Sequence, residues 1–204
     1  MQTQEIRKIY NETAPSFNRR EWIMEPLVFR RYRKKLVSRA NGNVLEVGIG
    51  TGRNLPFYTS GCKITGVDLS ERMIEEARKL ALNLGIAINL IVMDAENLAF
   101  KDSTFDTVLC ALSLCTVPNP IRALSEMKRV CRPEGKILIL EHARSHNSFL
   151  GRVQDWLTPF NVRRIGCHLN RDALGNAKKA GLNIDYVESH ISGIINIICA
   201  ICDK

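Results

Sequence analysis

From residue 43 onward, short apolar runs alternate with segments whose apolar residues recur every three or four positions. This alternation predicts an α/β fold, a Rossmann-like and mostly parallel sheet with helices on both faces, since parallel neighbours need crossover helices. Asn43–Val47 and Lys63–Asp68 read as the first two strands, Ile88–Met93 as the third and Phe105–Ala111 as the fourth. After the second strand, Met73, Ala77, Leu80, Ala81 and Leu84 trace one buried helical face, opened by Ser70 as N-cap and ended by Gly85. A helix over 120–131 leads through the turn Pro133-Glu134-Gly135 into a fifth strand, Lys136–Glu141. A last helix, about 171–180, takes Asn170 as N-cap and Gly181 beyond its end. Strands at about 184–190 and 194–202 bring the expected total to seven.

Two regions stand outside the alternation. Residues 1–40 read as a largely helical extension that precedes the sheet. Residues 143–169 form a long insertion after the fifth strand, carrying His146, Phe149, Trp156, Leu157, Phe160 and His168. Connections at the carboxyl ends of parallel strands are where such folds place substrates. Phe149, Leu150, Val153, Trp156 and Leu157 follow helical spacing, which suits either a face that dips into lipid or a lid over a soluble substrate.

Composition narrows the class. A chain of 204 residues, 45% hydrophobic and 25% charged, without repeat or Ser/Gly-rich linker, is expected to form a single domain over 1–204. No apolar run is long enough to span a bilayer, and MQTQEIRKIYNETAP lacks the apolar core of a secretion signal, so the expected compartment is the cytoplasm. The net charge is +8, and Arg30, Arg31, Arg33, Lys34, Lys35 and Arg39 crowd one stretch. Clustered cations suit an anionic membrane surface, a nucleic acid or an acidic partner, or form a solvated helix face. Seven scattered cysteines, an odd number, argue against a disulfide framework. Cys199 and Cys202 have CxxC spacing but no second ligand pair, and their apolar surroundings make them buried structural thiols; no metal is expected.

The candidate chemistry centres on VLEVGIGTG at 44–52. A glycine-rich turn after a first strand lets backbone approach a ligand and aims N–H groups at it. A dinucleotide fingerprint would be GxGxxG/A, but Arg53 occupies the sixth place and is too large for the close contact needed there. The observed spacing is GxGxG, at Gly48, Gly50 and Gly52. Glu46 would repel a pyrophosphate but attract the ammonium of the methionine portion of S-adenosylmethionine (SAM). The turn therefore favours SAM.

With these residues the chain resembles the class I SAM-dependent methyltransferases over about residues 40–142. VLEVGIGTG is similar to their first motif and TGVDLS at 65–70 to their second. The resemblance implies that Asp68 accepts hydrogen bonds from the ribose hydroxyls, with Leu69 beside it at the cofactor. MDAENLAF at 93–100 implies Asp94 at the adenine amino group and a backbone contact from Ala95. FDTVLCALSL at 105–114 and RPEGKILILEH at 132–142 complete the motif order. Met73 either packs on adenine or belongs to the core, and Ala111 and Leu112 end the fourth strand where they can flank the cofactor.

The sulfonium makes the methyl group electrophilic without a metal, so the enzyme must chiefly align the acceptor, a contribution of about 7–11 kcal/mol. A base is needed only if the acceptor loses a proton. His142, closing the fifth strand, is the first candidate and His168 in the insertion the second. Tyr10, in IYNETAPSFN, resembles the aromatic residue of an amino-terminal lid over SAM.

YNETAPSFN, the pair Glu141-His142 and GCHLNRD at 166–172 most resemble small lipid-modifying members. These are the phospholipid N-methyltransferases, the ubiquinone/menaquinone C-methyltransferases and the membrane-associated thiol methyltransferases. Asn18 stands where the quinone enzymes' FDxIAxxYD pattern has aspartate, which weakens the quinone reading. The first expectation is a small or lipid-like acceptor, a phospholipid amine or quinone precursor, reached from a peripheral position at an anionic membrane. The alternatives are a small-molecule thiol, RNA or protein as acceptor, or a partner subunit that binds SAM without turnover. No RNA-binding module accompanies the motifs, and ALSLCTVPNP follows the fourth strand in place of an Asn/Asp-Pro-Pro-Tyr/Phe tetrad, so nucleic acid is not the expected partner.

Overall fold

The computed structural model describes residues 1–20 and 23–203. Glu21 and Trp22, within the expected amino-terminal helical stretch, lie outside the described residues. The chain opens with α1 (Thr3–Arg20), then a π-helical turn (Glu25–Phe29) that runs into α2 (Arg30–Val37). The alternating part follows as β1 (Asn43–Val47), β2 (Lys63–Asp68), α3 (Glu71–Leu84), β3 (Ile88–Val92), β4 (Phe105–Ala111), α4 (Pro120–Val130) and β5 (Cys131–His142). Then come α5 (Ser148–Ile165), α6 (Ala173–Lys179), β6 (Asn183–His190) and β7 (Ile195–Ile201).

The seven strands form one sheet in the order β3-β2-β1-β4-β5-β7-β6. β7 runs antiparallel to both its neighbours, and the other pairings are parallel. The strand order reverses between β1 and β4, which opens a crevice at their carboxyl ends. This is the expected Rossmann-like, mostly parallel sheet.

Alternation along each strand divides the core. Leu45, Val108, Ile137 and Ile139 face one side, beneath Leu124 and Met127 of α4 and Ala177 of α6. Val44, Leu109, Leu138 and Leu140 face the other, beneath Tyr32 and Leu36 of α2. Each fully buried Leu or Ile contributes about 1.5–3 kcal/mol. α3 packs Ile74 and Ala81 against Ile49 and Leu55 of the glycine turn.

Several expectations shift in detail. On α3, Ile74 is buried, and Leu84, the last residue before the left-handed Gly85, is 43% exposed. β3 ends at Val92, before Met93. β5 begins at Cys131, five residues early, and Pro133-Glu134-Gly135 stays within the strand. Reciprocal bonds hold it there: Glu134 N–H donates to the Cys202 carbonyl and Cys202 N–H to that of Gly135. The last helix takes Asp172 as N-cap, accepting from Gly175 N–H at 2.8 Å, because Asn170 is turned to Asp155. Cys199 and Cys202 are buried as expected.

The basic stretch changes meaning. Arg33 is buried and paired with Glu25, Lys35 pairs with Glu188, and Arg30 and Arg39 lie over the rings of Phe57 and Tyr186. Two of the six cations thus have a carboxylate partner, while Arg30, Arg31, Lys34 and Lys35 stay exposed.

Candidate active site

A cleft opens at the carboxyl ends of β1 to β4, the switch point of the sheet. Its floor is the glycine turn. Gly48 has φ +69°, and a Cβ there would stand 2.3 Å from Ser113 Oγ, so only glycine fits between β1 and the end of β4. Gly50 also has positive φ, but a Cβ there meets nothing within 4 Å: the space above it is open. Gly52 does not line the cleft; it lets the turn pack on Leu55 and Ala77.

Asp68 joins the two halves of the floor. Its Oδ2 accepts from Gly50 N–H at 2.8 Å and its Oδ1 from Ser70 N–H at 2.9 Å. Burial pushes this carboxyl up, and the backbone donors of Ser70, Gly50 and Leu69 work against that shift. Leu69 and Met73 continue the wall, and Met73 is also buried in the core. Asp94 and Ala95 line the far end, where Asp94 Oδ1 accepts from Glu96 N–H at 2.9 Å. Ala111 and Leu112 form the wall from β4, with Leu112 at φ +57°, a strained conformation for a side-chain-bearing residue.

The roof comes from α1. Tyr10 and Phe17 line the cleft from above. Burial raises the Tyr10 phenol well above its usual range, as do the neighbouring thiols of Cys115 and Cys167, so it stays protonated. α1 is tied down at both ends of its crossing. Arg7 pairs with Glu71, and Asn11 accepts from the Ser70 hydroxyl at 2.6 Å. Asn18 Oδ1 accepts from Thr51 Oγ1 at 2.8 Å and Arg53 Nε at 3.2 Å. Arg53, which breaks the dinucleotide spacing, thus fastens the lid to the glycine turn. Thr51, Phe17 and the buried Arg33 were not singled out from the sequence as site residues, because their roles depend on α1 and α2 folding back over the turn.

Besides Gly52, three predicted site residues are elsewhere. Glu46 is buried beneath the turn, where its Oε1 accepts from Asn54 Nδ2 at 2.8 Å and its Oε2 from Tyr58 OH at 2.7 Å. Burial pushes its carboxyl up to about 7, against the hydrogen bonds of Tyr58 and Asn54. His142 does not line the cleft; its Nε2 lies 3.2 Å from Cys167 Sγ. Burial disfavours charge on this ring, but Cys167 and Glu141 prevail and raise it to about 9, while Cys115 and His142 draw the Cys167 thiol down to about 5. His168 is also outside the cleft lining, and its backbone N–H donates to the Cys115 carbonyl at 3.0 Å.

The open space over Gly50 and the inward Asp68 carboxylate, at the switch point of a seven-stranded sheet, fit the SAM-dependent methyltransferase class. Residues 45–139 match the methyltransferase domain family. The chain is 39% identical over 141 residues to a phosphatidylethanolamine N-methyltransferase of Cereibacter sphaeroides, covering 68% of this chain and 69% of that one. It is 32% identical over 201 residues to the human thiol S-methyltransferase TMT1A, covering 90% and 76%. A solved SAM-dependent methyltransferase of Thermotoga maritima, described as a possible histamine N-methyltransferase, superposes with a TM-score of 0.72 at 25% identity, over 96% of this chain and 99% of that one. The chain belongs to the SAM-dependent methyltransferases, and its cofactor is SAM.

Proposed function

We propose that this methyltransferase acts on the headgroup amine of a membrane phospholipid while seated on an anionic lipid surface through α5. The observation that carries the reading is the outer face of α5. Phe149, Val153, Trp156 and Phe160 line one stripe, and Phe149, Trp156 and Phe160 are 69%, 68% and 62% exposed. Arg152, Arg163 and Arg164 are also exposed along this helix. An apolar stripe with cations beside it is the composition of a helix that lies in a lipid interface. No helix among the described residues is long and apolar enough to cross a membrane. The C-terminal end of α5 reaches the lid: a Cβ on Gly166 would stand 2.3 Å from Ile6 Cδ1 of α1. The similarity to the Cereibacter phosphatidylethanolamine enzyme supports the amine acceptor.

In this reading the Gly48–Gly50 backbone receives the methionine portion, Asp68 the ribose, and Asp94 with Ala95 the adenine. Leu69, Met73, Ala111 and Leu112 wall the cofactor, and Tyr10 closes over it. SAM supplies an electrophilic sulfonium methyl group. The chain aligns the acceptor and excludes water with Tyr10 and Phe17, and the headgroup ammonium releases its proton to solvent before the free amine attacks the methyl group. Gly52 and Glu46 hold the turn from behind.

The test is label transfer from methyl-labelled SAM to vesicles of phosphatidylethanolamine with an anionic lipid, beside a quinone precursor and an aliphatic thiol. Label in the lipid amine is expected; label confined to the quinone or the thiol overturns the reading. A thiol acceptor is the second reading, favoured by the match to human TMT1A over 90% of this chain.

A further inference from the structure

Behind the Tyr10 side of the cleft, three segments distant in sequence converge on one point. Cys115 follows β4, His142 ends β5 and Cys167 follows α5. Their Sγ, Nε2 and Sγ atoms all lie within 4.8 Å of one another. We propose that Cys115, His142 and Cys167 form a tetrahedral Zn(II) site whose fourth position is open to water.

The donor set is the first support. Two thiolates and one imidazole suit zinc, whose bonds of about 2.3 Å to sulfur and about 2.0–2.1 Å to nitrogen place ligand atoms roughly 3.5–3.8 Å apart. The observed His142 Nε2–Cys167 Sγ separation of 3.2 Å needs only a small outward adjustment. Second, the ligands are held independently of any metal. His168 N–H donates to the Cys115 carbonyl, Asn161 Nδ2 donates to the Cys167 carbonyl at 2.9 Å, and the His142 ring hydrogen-bonds the Leu169 backbone. A ring hydrogen bond of that kind orients an imidazole for metal binding.

The surroundings provide the rest. A cavity of about 10 Å³, roughly one water, is bounded by Cys115, Glu141, His142 and Arg171. Glu141 Oε1 accepts from Leu114 N–H, but its buried Oε2 has no partner among the described residues. A metal-bound water in this cavity would supply the missing donor. Zn(II), two thiolates and a neutral imidazole sum to zero charge, and Glu141 and Arg171 balance each other. On binding, the thiol and imidazolium protons leave to solvent. The site would pin the 113–118 wall of the cleft to β5 and to the loop after α5, fixing the acceptor side.

The test requires neither SAM nor acceptor, so its outcome is separate from that of the lipid reading. The full chain, produced with zinc in the medium, is assayed for metal content, then stripped and titrated with Co(II). About one equivalent of zinc is expected, and one equivalent of Co(II) with intense tetrahedral bands and thiolate-to-cobalt charge transfer. Cys115→Ser and Cys167→Ser should each weaken Co(II) binding by more than about 100-fold, beyond the loss of an outer-sphere partner. Cys202→Ser, at a buried thiol outside the cluster, should leave it unchanged. The proposal is overturned if the unaltered chain gives no tetrahedral cobalt spectrum, if Cys115 and Cys167 are isolated as a disulfide, or if Cys202→Ser abolishes binding as fully as the other two.

Discussion

The Asp68 carboxylate accepts a hydrogen bond from Gly50 N–H at 2.8 Å across a separation of eighteen residues, so the end of β2 holds the glycine turn after β1 in its open shape. One side chain therefore both shapes the turn and faces the cleft.

Asp68→Ala should weaken SAM binding twice over, by loosening the turn and by removing the acceptor proposed for the ribose. Hydrogen bonds to a charged group are worth about 1.5–3 kcal/mol, so the Kd should rise on the order of 10- to 100-fold. Isothermal titration calorimetry measures this, and an unchanged Kd would remove Asp68 from the site.

Gly48→Ala and Gly50→Ala should separate folding from binding. Both positions have positive φ, but only at Gly48 does a Cβ collide, with Ser113. Gly48→Ala should cost roughly 2–4 kcal/mol of stability and Gly50→Ala about 1 kcal/mol, the latter losing chiefly SAM affinity. Urea melts paired with cofactor titration decide; equal destabilisation by the two would contradict the geometry.

Glu46 should make stability pH-dependent. Its folded carboxyl sits at about 7 against an ordinary value of 4.5, so the folded state retains a proton that the unfolded chain has released in that window. Its stabilising contribution is present below about pH 4.5 and lost as pH rises through about 7. Glu46→Gln, uncharged throughout, should gain on the order of 3 kcal/mol relative to the native chain across this range. Parallel stability profiles from pH 4.5 to 8 would show that Glu46 is not responsible.

Trp156→Ser combined with Phe160→Ser should leave thermal stability and SAM affinity unchanged, because both side chains are mostly exposed. Flotation with anionic vesicles should fall by at least about tenfold, given about 1.5–3 kcal/mol per large apolar side chain. Arg163→Glu with Arg164→Glu should instead abolish the salt-sensitive part, about 1 kcal/mol per cation. Retained flotation in both variants would mean that α5 does not face lipid.

Legibility varied with the range of the interaction. Ser70 and Gly85 bracket α3 as their chemistry requires, since capping and left-handed turns are settled within a few residues. Asn170 is as good a cap as Asp172 in isolation, and Asp155, fifteen residues earlier, draws it away. Arg33 belongs by composition to a charged surface run, yet Glu25 and Asn54 bury it. Glu46 has the right charge for an ammonium, but Asn54 and Tyr58 occupy both its oxygens.

Strand order along the chain, the GxGxG turn, Asp68 and Asp94 at strand ends, and therefore the SAM-dependent class, were all readable in the chain, because alternation, turn conformation and strand termini depend on neighbouring residues. Packing alone selected which groups face the cleft. α1 folds back to bring Tyr10 and Asn18 over the turn, while the fold draws His142 away from the cleft and toward Cys115 and Cys167. Those partners are dozens of residues apart, and only the free energy of burying the sheet's two faces fixes which side chains meet.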